Sequence, residues 1–431
     1  MRKIVPGALI ALILCFIPRA YAAGGDGSVM LQGFYWTSWK TAPWWDSVRK
    51  EARDISRTGF NLIWLPPSAD SASDEGYMPR RINIQDSRYG TALQLKSLIR
   101  DLHGCGVKVL ADVVLNHRVG YKDWADFTDP AWGPETITSD DEWGKGTGAR
   151  DTGLPVAFAR DLDHTSPTVR KGFIEWMGRL HSDIGYDGWR YDFARGYAPE
   201  YLLAYNRANP PVFAVAEIWD ELDLKNPDAH RQALVSWLNS VNGEVKVFDL
   251  TTKGVLQEAV RTGEYWRLAD SSGNPSGLIG LRPASAVTFV DNHDTVPRAD
   301  GYKGWPFPSE KLMQGYAYIL THPGVPCVFW PDFFNPARKE AITLLIKNRW
   351  SSGIDSASAV SIVKAEKGLY AAIVDGKLAV RLGLKASWFP GKGWTSAASG
   401  PGYKVWTKNK EAVIPASHRR RSVKNGDFGI L

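Results

Sequence analysis

Eight short apolar segments recur along the first 330 residues, and each is dense in Val, Ile, Leu or Phe. They show little alternation between apolar and polar positions, which is typical of strands buried on both faces of a parallel sheet. The predicted strands are residues 29–36, 60–67, 107–114, 188–192, 213–219, 245–250, 287–294 and 325–330.

Amphipathic segments lie between these strands. Thr91 is placed to cap a helix that ends at Gly104 and turns Leu95, Leu98, Ile99 and Leu102 to one face. Ser166 and Pro167 begin another, with its apolar face formed by Val169, Phe173, Trp176, Met177 and Leu180. Strands that alternate with helices in this way predict an α/β fold, a (β/α)8 TIM barrel. A doubly wound open sheet is the alternative, and it is disfavoured because no Gly-rich phosphate-binding turn follows the first strand.

One connection breaks this alternation. Residues 118–163 have no helical period and are rich in Asp, Gly, Trp and Thr. Because irregular segments of this length are uncommon in compact domains, we predict an inserted domain after the third strand, between barrel segments 26–117 and 164–352. From residue 119 to 163 there are ten acidic and four basic residues, a net charge of −6. Such a segment is either a solvated acidic loop or a loop folded around a hard cation with oxygen ligands.

The pattern changes again after residue 352. Short strand-like segments separated by turns predict a C-terminal antiparallel β domain over residues 353–408. Asp375 and Gly376 lie between two of these segments and indicate a hairpin. The basic segment 409–431 has too little apolar content to fold alone.

The N-terminus has the pattern of a signal peptide. Arg2 and Lys3 precede a short apolar run, and Ala20, Tyr21 and Ala22 form a small-x-small cleavage site. We therefore predict that residues 1–22 are removed and that the protein is secreted, either outside the cell or into a periplasm. No later segment has the length and apolarity of an anchor, so we expect no membrane association after cleavage and a monomeric protein.

Composition narrows the possible functions. The net charge of +6 is concentrated in the leader and the basic tail, which argues against nucleic-acid binding. Cys105 and Cys327 are too few for a disulfide framework; free thiols are favoured, and a single bridge stays open. Nineteen Trp is far above ordinary usage. Most are expected to fill the core, and some to line a groove for sugar rings, whose apolar faces suit flat aromatic surfaces.

Acidic side chains follow four of the predicted strands. Asp112, Asp192, Glu217 and Asp294 lie at carboxyl ends, where a barrel of this type carries its active site. Any one of them could be a helix cap or a solvated loop charge. Several that meet at one rim indicate the paired carboxylates of glycoside hydrolysis. Glu217 follows an apolar strand, which favours a carboxyl group that stays protonated.

Four short blocks follow one another along the chain: DVVLNH (112–117), GWRYD (188–192), AEIW (216–219) and FVDNHD (289–294). In this order they resemble the characteristic regions of the alpha-amylase family. The resemblance runs from about residue 32 to 408 and is to plant-type alpha-amylases. Over residues 190–200 the sequence also resembles bacterial maltotetraose-forming amylases.

The resemblance implies a retaining endo-hydrolase of internal α-1,4-glucosidic bonds in starch, glycogen and related glucans. Two alternatives within the family are an exo-acting enzyme that releases maltooligosaccharides and a transglycosylase. An alternative of another class is a non-catalytic starch-binding protein. It is disfavoured because a degenerate scaffold would be expected to have lost at least one of the three family carboxylates.

The resemblance also implies a role for each site residue. Asp192 would be the nucleophile, Glu217 the general acid and then base, and Asp294 a group that binds sugar hydroxyls and favours the transition state. Arg190 would keep Asp192 ionised. The remaining substrate contacts would be Tyr77, His117, Arg195, Trp219 and His293.

For the acidic insert, the resemblance implies a structural Ca²⁺. The matching ligand positions are Asn116, Asp151, Asp161 and the carbonyl of Gly196. Further calcium sites of plant-type enzymes are not predicted, since Pro155 stands where one of their acids would fall. After the last block the chain continues with residues 296–298 (VPR), unlike the plant pattern, which leaves product length open.

Overall fold

The core of the molecule is a closed barrel of eight parallel strands. The computed structural model describes residues 26–384 and 387–409. Strands follow one another around the barrel in chain order, and β1 pairs with both β2 and β8 to close it. The predicted TIM barrel is therefore confirmed. The strands are β1 (Met30–Gln32), β2 (Leu62–Trp64), β3 (Lys108–Val113), β4 (Gly188–Tyr191), β5 (Phe213–Ala216), β6 (Lys246–Phe248), β7 (Ala286–Phe289) and β8 (Val325–Phe329).

Each strand overlaps its predicted segment but is shorter. The carboxyl end of β7, for example, lies at Phe289, and residues 290–294 continue as loop. Asp192 and Glu217 directly follow β4 and β5, and their amides still donate to the carbonyls of Val113 and Tyr191 on the neighbouring strands, whereas Asp294 lies in the loop after β7. Their side chains converge at the rim, where the backbone is free to depart from strand geometry.

Helices surround the barrel. The helix Ala92–Gly104 begins with the predicted cap, because the Thr91 hydroxyl accepts from the Gln94 amide and the Gln94 side chain bonds back to Thr91. All four of its predicted core residues are buried. The helices are α1 (Trp44–Lys50), α2 (Ala52–Thr58), α3 (Ala92–Gly104), α4 (Pro167–Arg179), α5 (Pro199–Ala208), α6 (Pro227–Ser240), α7 (Leu250–Thr262), α8 (Leu312–Thr321), α9 (Trp330–Phe333) and α10 (Pro336–Ser351).

The segment between β3 and α4 is largely irregular. His117–Arg118 and Arg160–Asp161 form a two-residue antiparallel pair that closes its base. The fully buried Arg118 donates to the carbonyls of Arg80 and Thr128, and its guanidinium carbon lies 4.5 Å from the Trp132 ring centroid. This buried cation satisfies backbone carbonyls and packs beside the few buried apolar side chains of the segment, such as Trp132 and Ile137.

After α10 the chain forms a five-stranded antiparallel sheet. Between β10 and β11, Asp375 and Gly376 have φ of +50° and +65°, the left-handed values of a tight hairpin turn. The sequence pattern missed β12, because its residues WTSAASG are mostly small and polar. In the order β9-β10-β11-β13-β12, the strands are β9 (Val360–Glu366), β10 (Leu369–Val374), β11 (Leu378–Leu382), β12 (Trp394–Gly400) and β13 (Tyr403–Lys408).

Three sequence expectations concern the rest of the chain. Within the described residues, Cys105 and Cys327 are both free thiols, although Cys105 is only partly buried. No helix in the described part of the chain has the length and apolarity needed to cross a membrane. The predicted signal peptide lies outside the described residues, as do residues 410–431 of the basic tail.

Candidate active site

A cavity of about 420 Å³ opens at the carboxyl ends of the barrel strands. The structure brings seven of the residues predicted for the site together around it. They are Tyr77, His117, Asp192, Glu217, Trp219, His293 and Asp294. Arg190 lies directly beneath, on β4, and is only 1% exposed.

Arg190 connects the carboxylates of the site. Its Nη1 atom donates to Asp192 Oδ1 at 2.5 Å and to Asp112 Oδ1 at 2.9 Å. Its Nη2 atom lies 2.9 Å from Glu217 Oε1. One guanidinium group therefore fixes the positions of three acids from three neighbouring strands, and its planar fork suits this role better than a lysine would.

Asp112 supports the site from below. Tyr77 Oη and Trp64 Nε1 donate to its Oδ2 atom at 2.8 Å and 3.1 Å. Burial raises the pKa of Asp112 to about 7, with the neighbouring Asp192 charge adding to the rise and Arg190 opposing it. Sequence reasoning noted Asp112 as a strand-end acid but gave it no role. Its hydrogen bonds show that it orients Arg190 and Tyr77.

Glu217 has the environment of a proton donor. Burial raises its pKa to about 8; Asp192 and Asp294 raise it further, while Arg190 lowers it. The backbone amide of Phe193 donates to Glu217 Oε2 at 3.1 Å, which holds the carboxyl group toward the cavity. Near neutral pH the group is therefore mostly protonated, as a general acid must be.

Asp294 is held from two sides. His293 Nε2 lies 3.1 Å from its Oδ2 atom, and Arg298 Nη2 donates to its Oδ1 atom at 2.5 Å. Burial raises the pKa of Asp294, while Arg190 and Arg298 oppose this. The carboxyl group is thus oriented before any ligand arrives.

Both histidines of the site are neutral. Burial lowers the pKa of His117 and lowers that of His293 well below its usual value. Gln32 Nε2 donates to His293 Nδ1 at 3.0 Å, which places the proton of this ring on Nε2. His117 Nε2 donates to the Tyr77 carbonyl at 2.9 Å, so this ring is protonated at Nε2.

Aromatic rings form one wall of the cavity. Trp36 and Tyr77 are nearly parallel, at 7°, with centroids 6.1 Å apart. Tyr77 and His293 are also nearly parallel, at 12° and 5.3 Å. Flat rings of this kind present apolar faces beside polar groups, an arrangement suited to a sugar.

Arg195 is the predicted substrate contact that the structure does not bring into the cavity lining. Its guanidinium group pairs with Asp220, and its carbonyl accepts from the Leu154 amide at 2.9 Å. Arg195 is thus outside the lining although only three residues separate it from Asp192 in sequence. Trp219 does reach the rim and is 38% exposed.

Sequence reasoning missed several residues of the cavity lining. Arg298 is the most informative, because its guanidinium carbon lies 3.2 Å from the Trp36 ring centroid and 4.5 Å from that of Tyr302. The departure of residues 296–298 from the plant pattern indicated that this loop differs from that of plant enzymes. The sequence alone did not show that Arg298 turns toward Asp294. The other lining residues are Trp36, Phe158, Phe193 and Tyr302.

The four residues predicted to bind a metal lie together beside the site. Asn116 Nδ2 donates to Asp161 Oδ1 at 2.9 Å, and a Cβ atom on Gly196 would come 1.9 Å from Asn116 Oδ1. Asp151 accepts from Gly153, which itself approaches the Gly196 carbonyl carbon. The described residues contain no group of three or more His, Cys, Asp or Glu side chains arranged for a metal, since this set has only two acids.

Known proteins resemble this chain in sequence. Residues 49–135 match the family described as "Alpha amylase, catalytic domain", and residues 351–407 match "Alpha-amylase C-terminal beta-sheet domain". "Probable alpha-amylase 2" of Arabidopsis thaliana is 42% identical over 89% of this chain and 95% of its own length. "Alpha-amylase 3, chloroplastic" of the same plant is 41% identical over 90% of this chain, which spans 45% of that relative.

A bacterial relative is also similar. The "Glucan 1,4-alpha-maltotetraohydrolase" of Stutzerimonas stutzeri is 31% identical over 83% of this chain and 68% of its own length. Both resemblances predicted from sequence, to plant and to maltotetraose-forming enzymes, are therefore confirmed. The shared length and identity, together with the barrel and its C-terminal sheet, show that the chain belongs to the alpha-amylase family of glycoside hydrolases.

Proposed function

We propose that this protein is an alpha-amylase that hydrolyses internal α-1,4-glucosidic bonds of starch-like glucans with retention of configuration. The observation that carries the proposal is the single guanidinium group of Arg190, which binds both Asp192 and Glu217. One guanidinium group thus keeps at the same cavity the two acids that glycoside hydrolysis requires, and the resemblance to the family supports retention.

In the first step, Asp192 attacks the anomeric carbon and the bond from that carbon to the leaving oxygen breaks. Glu217 transfers its proton to that oxygen, so the shortened glucan leaves neutral and a glycosyl ester remains on Asp192. Glu217 then takes a proton from water, whose oxygen attacks the anomeric carbon and releases Asp192. The pKa of Glu217, raised to about 8, suits its role as the proton donor in the first step.

The other polar groups act on the same sugar ring. Asp294 and the Nε2 proton of His293 are placed to bind hydroxyl groups, and these bonds would strengthen as charge develops on the ring. Arg190 holds the Asp192 carboxyl group in position through its hydrogen bond to Oδ1. Tyr77, fixed by Asp112, offers its ring face to the sugar.

We also propose that Asn116, Asp151, Asp161 and the Gly196 carbonyl hold a Ca²⁺, as the family's general dependence on calcium suggests. Asn116 Oδ1 and Asp151 Oδ2 are buried without hydrogen-bond partners, which suits a hard cation. Burial raises the pKa of Asp161 to about 7. The charge of a bound cation would offset this cost of burying the ionised carboxyl group. Bound there, the ion would tie the insert to the loop after Asp192.

Endo and exo action are distinguished by a product time course. On soluble starch, endo action predicts a rapid fall of iodine staining with mixed products, and it predicts attack on a chain blocked at its non-reducing end. One dominant oligosaccharide with no attack on the blocked chain would favour exo action, the mode that the name of the maltotetraohydrolase relative suggests. Loss of hydrolysis in an Asp192→Asn variant that still folds and unfolds cooperatively tests catalysis itself against a non-catalytic starch-binding protein.

Three further expectations belong to this proposal. The leader 1–22 would direct export, which N-terminal sequencing of the mature protein from its host tests; a start near residue 23 is expected. The protein would act as a monomer, measurable by light scattering. The barrel segments 26–117 and 164–352, the insert 118–163 and the sheet 353–408 would be the units of the chain, before a basic tail at 409–431.

A further inference from the structure

Two tryptophans of the insert expose their rings to solvent. Trp124 is 38% exposed and Trp143 is 57% exposed. They lie on different loops, yet their ring centroids are 6.3 Å apart at an interplanar angle of 57°. Exposed aromatic surface that is grouped rather than scattered marks an interaction site.

A buried arginine holds the two loops together. Arg160 is 4% exposed and donates to the carbonyls of Asp123 at 3.0 Å and Gly144 at 2.9 Å. Its Nη1 atom also bonds to the Asp141 carboxylate at 2.6 Å. Since Asp123 and Gly144 are the chain neighbours of the two tryptophans, Arg160 fixes the backbone beside each ring.

The backbone at both rings is in an uncommon conformation. Asp123 and Trp124 have φ of +58° and +57°, and Lys145 has +69°. Non-glycine residues rarely adopt these left-handed values, each of which costs about 1–2 kcal/mol. An ion pair of 3.1 Å between Lys145 and Asp123 links the two strained segments. Such strain persists where the surroundings impose it, and here it lies at Trp124 itself and two residues after Trp143.

The pair is continuous with the active-site cavity. Trp143 Nε1 donates to the Ala157 carbonyl at 2.8 Å. The next residue, Phe158, is 52% exposed, lines the cavity and packs edge-on against His117 with centroids 5.0 Å apart. The backbone of Ala157 and Phe158 therefore connects the tryptophan pair to the lining of the cavity.

We propose that Trp124 and Trp143 form an accessory binding site for the same α-glucan chain, several sugar units away from the bond that is cleaved. The indole faces would pack on the apolar faces of pyranose rings, and the polar groups of Asp123 and Lys145 would meet their hydroxyls. This inference rests on the proposed function. The net charge of −6 in the insert disfavours a polyanion as the occupant.

Steady-state kinetics on two substrates test the site. The variants Trp124→Ala and Trp143→Ala are compared with the wild type on long-chain amylose and on maltotriose, which is too short to reach from the cavity to the pair. We expect kcat/KM on amylose to fall about tenfold and kcat/KM on maltotriose to stay within about twofold. Trp143→Phe, which keeps a ring but loses the bond to Ala157, should retain part of the amylose activity.

The matched control is Trp266→Ala. Trp266 is 49% exposed but lies in a turn that packs beside β9, in the C-terminal sheet, so its loss should change neither rate. The inference is overturned if Trp124→Ala behaves like this control on both substrates. It is equally overturned if both rates fall alike, because Trp124 would then be structural. Failure of the proposed function is a separate outcome, in which the wild type cleaves neither substrate.

Discussion

Replacement of Arg190 by methionine removes the charge that three carboxylates share while keeping a side chain of similar length. Arg190 is 1% exposed, and its nitrogen atoms lie 2.5–2.9 Å from Asp112, Asp192 and Glu217. Loss of one partner from a buried ionic cluster costs about 3–5 kcal/mol, because the remaining charges stay buried without compensation. We expect Arg190→Met to be inactive and destabilised by an amount in this range.

The loss of folding stability caused by Arg190→Met should grow with pH. With Arg190 present, the pKa values of Asp112 and Glu217 are about 7 and about 8, both above those of the unfolded chain. The folded protein therefore binds more protons than the unfolded one, and stability falls as pH rises until these pKa values are passed. Without Arg190 the pKa values rise further, so the variant keeps losing stability above pH 8. Each added pKa unit costs about 1.4 kcal/mol at high pH.

Guanidinium unfolding at pH 5 and at pH 9 measures this difference. We expect a destabilisation of about 3 kcal/mol at pH 5, where both acids are protonated in either protein, and at least about 1.4 kcal/mol more at pH 9. The control is Arg261→Met, whose exposed guanidinium group pairs with Glu258 and whose loss should change little at either pH. An equal penalty for Arg190→Met at both pH values would refute the reasoning.

Three further predictions follow from the site. The raised pKa of Glu217 predicts that kcat/KM is lost as pH rises through about 8, and a pH–rate profile with no alkaline limb between pH 7 and 9 would count against Glu217 as the acid. Arg298→Met should lower kcat/KM about tenfold, because Asp294 loses a partner at 2.5 Å; an unchanged rate would show that His293 alone positions it. A calcium chelator should lower the thermal midpoint by at least about 4 °C, measured by calorimetry, and Asn116→Ala should remove most of that effect. Equal chelator shifts in wild type and variant would place the ion elsewhere.

Much of the fold followed from apolar periodicity. The eight buried strands are short and continuous in Val, Ile and Phe, so a local pattern identified them, and Thr91 with Gln94 marked the start of α3. Strand β12 was missed because its ladder is formed by small polar residues whose pairing depends on β13, not on their own propensity.

The residues of the candidate site also fall into those that the sequence identified and those that it did not. Residues within the four family blocks, such as Asp192 and His293, could be identified from sequence because they share short motifs with the family. Arg298 and Phe158 could not, since each reaches the cavity through tertiary contacts that no local spacing encodes. Arg195 shows the converse: it lies three residues from Asp192 in sequence, yet it pairs with Asp220 and is not part of the cavity lining.

The central claim is that Asp192 forms a covalent bond to the sugar during turnover. A fluorinated maltosyl fluoride that forms the glycosyl ester quickly and hydrolyses slowly would trap this state, and mass spectrometry of the digested protein would locate the label. We predict one sugar adduct per chain, on the peptide that contains Asp192, and none in Asp192→Asn. A label on Glu217, or turnover of the probe by Asp192→Asn at the wild-type rate, would contradict the mechanism.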